Sequence, residues 1–193
     1  DSAGDAITTG TRNSLLGDNS GGAITTGTQN TFVGRDAGAA NTTASSNTFV
    51  GERAGLTNTT GAENVAVGQY SLALNTTGAN NVAIGRSTLS ANTTADDNTA
   101  VGYQSMNANT TGASNTAVGK TSLDSNTTGA NNVAIGQDAL GAATTADSNT
   151  AVGLSSLKLN VTGTSNVAVG KDALRANLAD QNTAVGMDAL TAN

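Results

Sequence analysis

The chain contains no cysteine, histidine, proline or tryptophan, and only two phenylalanines and two tyrosines in 193 residues. Without cysteine there is no disulfide framework and no thiolate metal site. Without histidine the commonest general base and metal ligand is missing, and with it every Ser-His or Cys-His catalytic pairing within the chain. The expectation is a non-enzymatic protein with no cofactor and no metal. Aromatic scarcity leaves little bulk for a wide core, so a thin, layered core is expected. Eight Lys and Arg, scattered singly, stand against fourteen Asp and Glu for a net charge of −6. This offers no basic stripe for a phosphate backbone and excludes nucleic acid as a partner. No apolar run approaches the roughly 20 residues that span a bilayer, and residues 1–30 lack a charged start followed by an apolar segment. The segment is therefore read as not membrane-spanning. It opens at Asp1 without Met, which reads as a processed or excised piece.

What is present is a period. Gly17, Gly34, Gly51, Gly68, Gly85, Gly102, Gly119, Gly136, Gly153 and Gly170 stand 17 residues apart, and Gly186 follows after 16. A composition rich in Gly, Asn, Thr, Ser and Ala is also that of a disordered linker. A linker, however, has no reason to return Asn, an apolar pair and Gly at fixed spacing. A strict period of this size implies a solenoid built from one array over residues 1–193, of about eleven coils.

Within a coil, Asn81-Val82-Ala83-Ile84 is apolar and rich in β-branched residues, bounded by turn residues and too short for a helix. Gly85 supplies a corner, where a residue without Cβ turns freely. A second short segment, Ser87-Thr88-Leu89-Ser90-Ala91, follows, and Asn92-Thr93-Thr94-Ala95 closes the coil. Missing proline suits an unbroken ladder of backbone hydrogen bonds, and the absence of any Asn-Gly dipeptide argues against two-residue antiparallel hairpins. The fold class is thus an all-β, parallel β-solenoid of 17-residue coils. At about 4.8 Å per coil, eleven coils make a rod about 50 Å long.

A volume swap shows which side chains meet. Where the residue two before the corner glycine is large (Leu15, Phe32, Phe49), the residue four after it is Gly (Gly21, Gly38, Gly55). In the other copies the roles reverse, as in Ala66 with Leu72, Ala83 with Leu89, Ala100 with Met106 and Ala184 with Leu190. Cores tolerate such exchanges when total volume is kept, so the two positions should share one space. Strand alternation then turns Val82 and Ile84 to the opposite face, which is also apolar and asks for a second copy to cover it.

Asn13, Asn30, Asn47, Asn64, Asn81, Asn98, Asn115, Asn132, Asn149, Asn166 and Asn182 precede the strands. They should stack as an amide ladder, each bonding to the coils above and below; a plain turn-forming Asn is the alternative. Asn41, Asn58, Asn75, Asn92, Asn109, Asn126 and Asn160 each head an N-x-T sequon and are candidate glycosylation acceptors along one edge. Asn and Thr are also simply good turn formers. Thr76, Thr93, Thr110 and Thr127 form a regular row that permits an ice-binding face. Ala44, Ala95 and Ala146 replace Gly in every third copy, which block duplication explains.

Three motifs resemble sites. AVGKTSLD (117–124) has the end of a phosphate-binding loop, but the residue five before Gly119 is Ser114 rather than Gly, and Arg86, Gln137 and Lys171 fill the Lys120 position in sister copies. Gly17-Asp18-Asn19-Ser20-Gly21-Gly22 is similar to a serine-protease G-D-S-G-G but carries an inserted Asn and has no histidine to act as base. Asp96-Asp97, Asp147 and Asp180 lie on turns and could touch calcium, yet no glycine-spaced acidic loop accompanies them. All three read as variable repeat positions.

Asn80-Asn81-Val82-Ala83-Ile84-Gly85, repeated at 131–136, resembles the N-S-V-A-I-G repeat of YadA-like heads of trimeric autotransporter adhesins, one motif per coil over essentially the whole chain. The coil here is longer by an N-T-T-G segment. The N-T-F-V-G and A-G-x-x-N-T-T form at 30–43 and 47–60 is also similar to repeats in phage tail fibres and large bacterial surface proteins. The resemblance implies a left-handed parallel β-roll, three chains side by side, and an extracellular, cell-surface or virion location. The function expected is a rod-like stalk or head giving multivalent attachment to a cell-surface or matrix receptor. The alternative is a self-assembling extracellular filament whose subunits stack end to end, since no distinct capping coil is visible in the sequence.

Overall fold

A computed structural model describes residues 3–191. Eleven three-residue strands run from β1 (Ser14–Leu16), β2 (Thr31–Val33), β3 (Thr48–Val50) and β4 (Val65–Val67) through β5 (Val82–Ile84), β6 (Thr99–Val101), β7 (Thr116–Val118) and β8 (Val133–Ile135) to β9 (Thr150–Val152), β10 (Val167–Val169) and β11 (Thr183–Val185). They form one parallel sheet in strict chain order. Each strand pairs with the next in the same phase of the repeat, as in Val82 with Thr99, Ala83 with Ala100 and Ile84 with Val101. The fold is a parallel β-solenoid, and no helix occurs among the described residues.

The strand is short because the chain must turn at both ends of it. Its middle residue points inward and is buried from Phe32 to Ala184, while its neighbours point out. After the strand, each corner glycine adopts φ near +133°, and a Cβ on Gly85 would lie 2.5 Å from the carbonyl oxygen of Gly102 in the next coil. Both the left-handed conformation and the close approach require glycine there.

The following segment is not a second strand. Positive φ recurs at Gly85, Ser87 and Leu89 and skips the residues between them, so the chain curls through a tight arc. A buried leucine at φ about +50° costs roughly 1–2 kcal/mol in isolation. Stacking offsets that cost: Ser87 N–H donates to Gln69 O (2.9 Å) in the preceding coil, and Leu89 N–H and Ala91 N–H donate to Ser105 O (3.0 Å) and Asn107 O (3.1 Å) in the following one. The arc is thereby paired with its neighbours as the strand is.

The core is one thin column. Ala83 and Leu89 are both fully buried in it, with Ala100, Met106, Ala117 and Leu123 stacked beyond. In the early coils Phe32 and Phe49 stack with ring centroids 4.9 Å apart, and a Cβ on Gly38 would come within 2.6 Å of Phe32 Cδ2. The volume exchange read from the sequence is this shared space. The 16-residue step is absorbed at Asn177-Leu178-Ala179, where the closing turn loses one residue, and β10 and β11 still pair in phase.

Candidate functional site

The interior polar residues form two amide ladders. In the first, the backbone N–H of each Asn from Asn30 to Asn182 donates to the Oδ1 of the Asn one coil earlier, from Asn13 to Asn166, at 2.9–3.0 Å. Each Nδ2 from Asn13 to Asn166 also donates to the carbonyl that closes its coil, at 2.7–3.0 Å, as from Asn81 to Ala95 O and from Asn98 to Gly112 O. The ladder therefore supplies an acceptor to the N–H entering each strand from β2 to β11 and a donor to the ten closing turns from Gly27 to Ala179. Buried backbone groups require such partners.

The second ladder consists of the sequon asparagines. Asn41, Asn58, Asn75, Asn92, Asn109, Asn126 and Asn160 are all fully buried. From Asn75 to Asn126, each Nδ2 donates to the Oδ1 of the Asn one coil before, at 2.7–3.0 Å. The same Nδ2 donates to its own closing carbonyl, as Asn92 does to Ala95 O at 3.0 Å. This overturns the expectation of glycosylation. An N-linked sugar replaces one of the two amide hydrogens in use and has no space beside the neighbouring coils. The sequence does show the column, because Ile7 and Ile24 occupy the same phase as the asparagines, and Ile24 is a core residue. An apolar residue alternating with Asn marks an inward position.

The second ladder is interrupted where Ala143 takes the place of Asn. Asn126 Oδ1, which would accept from that missing amide, is buried without a hydrogen-bond partner.

The threonine row Thr76, Thr93, Thr110 and Thr127 is half-buried, and each Oγ1 donates to the carbonyl of the equivalent Thr in the next coil, at 2.8–3.1 Å. Those hydroxyl protons are committed to the rod. The next residue in each coil, from Thr9 through Thr77 and Thr94 to Thr162, is Thr in ten successive coils and exposed in all of them.

The three site-like motifs are structural. Gly119 N–H donates to Val101 O (2.8 Å) and Thr121 N–H to Tyr103 O (3.0 Å), so neither is turned toward a phosphate. Ser20 is buried, and its hydroxyl donates to Phe32 O at 3.1 Å. Asp96, Asp147 and Asp180 accept from the backbone N–H groups of Ala79, Ala130 and Thr164 at 2.6–2.7 Å. Asp96 and Asp147 follow Ala95 and Ala146, three coils apart, and Ser45 after Ala44 plays the same part for Thr28 N–H at 3.0 Å, so the three-coil period marks these side-chain acceptors; Asp180 follows Ala179, two coils after Ala146. Among the described residues no group of three acids, histidines or cysteines is placed to hold a metal. No helix of the described residues is long and apolar enough to cross a membrane.

Two outer surfaces remain. The first is the outward face of the sheet: of its twenty-two strand positions, all but Ser14 and Leu16 are Val, Ile or Thr, and none is charged. The second is the corner ridge, formed by the two residues after each corner glycine. It carries Arg35, whose guanidinium pairs with Glu52, and Arg53, 3.6 Å from Asp36 and 2.7 Å from the Tyr70 hydroxyl. Beyond Gln69 and Tyr70 it carries Arg86, Tyr103 and Lys120. Beside the ridge, Gly141 leaves a notch flanked by Asp124, Asp138 and Lys158, with Lys158 Nζ 3.1 Å from Asp138. Burial pushes the Asp124 carboxyl above its ordinary range, whereas the Thr121 hydroxyl and then Lys158 hold Asp138 below it.

No protein-family model, curated protein or solved structure matches the chain.

Proposed function

We propose that the chain is a non-enzymatic structural rod of an extracellular attachment fibre, on a cell surface or virion. In this reading its coils are left-handed, and three copies pack side by side. The observation that carries this is the outer sheet face. It is uncharged over eleven strands and β-branched over ten of them, β2 to β11, in a chain with twenty-two charged residues. Surfaces left to water are normally interspersed with charge, and a long apolar stripe marks an interface. Burial of this face against sister chains gives a stiff spacer on which identical outer ridges are displayed together, with attachment strengthened by avidity.

The molar mass in solution tests the reading: three times the 18.8 kDa chain is expected. Val101→Lys, on the outer face, should dissociate the assembly while the circular dichroism spectrum of the rod is retained. A monomeric parent protein would sink the proposal.

One observation favours a second reading, the ordering of water at an ice surface. The exposed threonine column is unbroken over ten coils at steps of about 4.8 Å. Absence of thermal hysteresis would remove it.

A further inference from the structure

The corner ridge is not uniform along the rod. Near its start Arg35 pairs with Glu52 and Arg53 with Asp36, and near its end Lys171 lies 3.0 Å from Asp172. Between them, over the coils bearing Arg86-Ser87, Tyr103-Gln104 and Lys120-Thr121, the ridge has no acid of its own. Neither Arg86 nor Lys120 forms an ion pair among the described residues, although the chain carries more acids than bases. The Tyr103 ring stands between them, 42% exposed, with the Arg86 guanidinium carbon 5.9 Å from its centroid.

Three coils in register place these side chains in one column, cation, aromatic, cation, at steps of about 4.8 Å. We infer that this column binds an acidic polysaccharide, a chain bearing carboxylate or sulfate groups. The Tyr103 ring offers an apolar face to the C–H face of one sugar, its edge and hydroxyl remaining wet. Arg86 and Lys120, about 10 Å apart across two coil steps, make charge-assisted hydrogen bonds to anionic groups on either side. Gln104, half-buried beside Tyr103, adds an amide donor and acceptor for sugar hydroxyls. A neutral glycan would leave the two cations without partners. A nucleic acid would ask for more phosphate contacts than two basic residues supply.

The inference rests on the attachment-fibre reading for its biological setting, but the two fail separately. The test titrates the intact protein with polygalacturonate, dextran sulfate, unmodified dextran and poly-glutamate, and measures the molar mass of the same samples. Binding of either acidic polysaccharide is expected, with none to dextran, and weakening as salt is raised. The double variant R86Q/K120Q and the single variant Y103A, all at exposed positions, should each lower affinity at least about tenfold with an unchanged circular dichroism spectrum. Failure of both acidic polysaccharides to bind overturns the inference. So does equal binding of dextran or poly-glutamate, or full affinity in Y103A, which would reduce the column to unspecific charge. A monomer that binds with this pattern defeats the assembly and keeps the column, and a trimer that does not bind does the reverse.

Discussion

The two amide ladders use the same side chain, both lie inside the coil and both donate to the same closing carbonyls: Gly78 O accepts from Asn64 and from Asn75. They differ in what else they hold. The first carries the backbone N–H that enters each strand from β2 to β11, and every one of its eleven positions is Asn. The second carries, in its linked stretch, only the Oδ1 of another member, and it is replaced by Ile7, Ile24 and Ala143. A side chain that satisfies a buried main-chain donor has no apolar substitute, because the main chain stays when the side chain goes. A side chain that satisfies another side chain can leave when its partner leaves too.

The largest effect should therefore come from Asn98→Ala. It strips the partner from Asn115 N–H (2.9 Å), in the rod's interior, and removes one of the two amide bonds to Gly112 O (3.0 Å), the one from Asn109 remaining. The stranded main-chain N–H, with the further bonds lost to Gly112 O and Asn115 Nδ2, costs about 2–4 kcal/mol, read as a lowered midpoint in denaturant unfolding. Asn92→Ala should cost less, about 1–2 kcal/mol, because no main-chain group is stranded: Asn75 Oδ1 loses its partner, while Ala95 O keeps the bond from Asn81 and Asn109 Nδ2 keeps its bond to Gly112 O. Equal costs for the two substitutions would break the distinction between the ladders.

The outline of this division is visible in the residues, and its mechanism is not. Periodicity places every strand, and the exchange of Phe32 with Gly38 for Ala83 with Leu89 defines the core, because volume is conserved in a shared space. The sequon asparagines mislead, since N-T-T is equally a surface turn and an interior ladder, and only the closed cross-section decides which way Asn92 points. The positive φ of Leu89 is illegible for a related reason: a leucine has no intrinsic preference for it, and the conformation exists only because the coils on either side pair with that arc. Of the candidate surfaces, the outer face was readable from strand alternation. The ridge was readable only as variability, until the ion pairs at its two ends isolated Arg86, Tyr103 and Lys120.

The break in the second ladder offers a gain of stability. Ala143→Asn would place an Nδ2 one coil beyond Asn126, where Oδ1 now lacks a partner. If the pattern of Asn126 donating to Asn109 at 2.7 Å extends by one step, unfolding should be harder by about 1 kcal/mol. No gain, with the rod otherwise intact, would mean that the space left by alanine has closed and that the ladder is not modular.

The smallest effect should come from outside the rod, where water supplies what the interior cannot. Asp124 lines the notch at Gly141, and burial raises its carboxyl pKa, with Asp138 nearby adding to the rise. A raised acid pKa means that the charged form is disfavoured in the fold, so the penalty is present at neutral pH and vanishes in acid, where the group is protonated folded and unfolded alike. Asp124→Asn should therefore raise the unfolding midpoint slightly at pH 7 and leave it unchanged below about pH 4. Asp138, held low by Thr121 and Lys158, has the opposite sign: its contribution is present above the ordinary aspartate pKa and fades as pH falls through its own lower value. Asp138→Asn should thus lower the midpoint at pH 7 by an amount that disappears in strong acid. If either substitution rivalled Asn98→Ala, the outer columns would be holding the rod together, and the contrast drawn between amide and surface would fall.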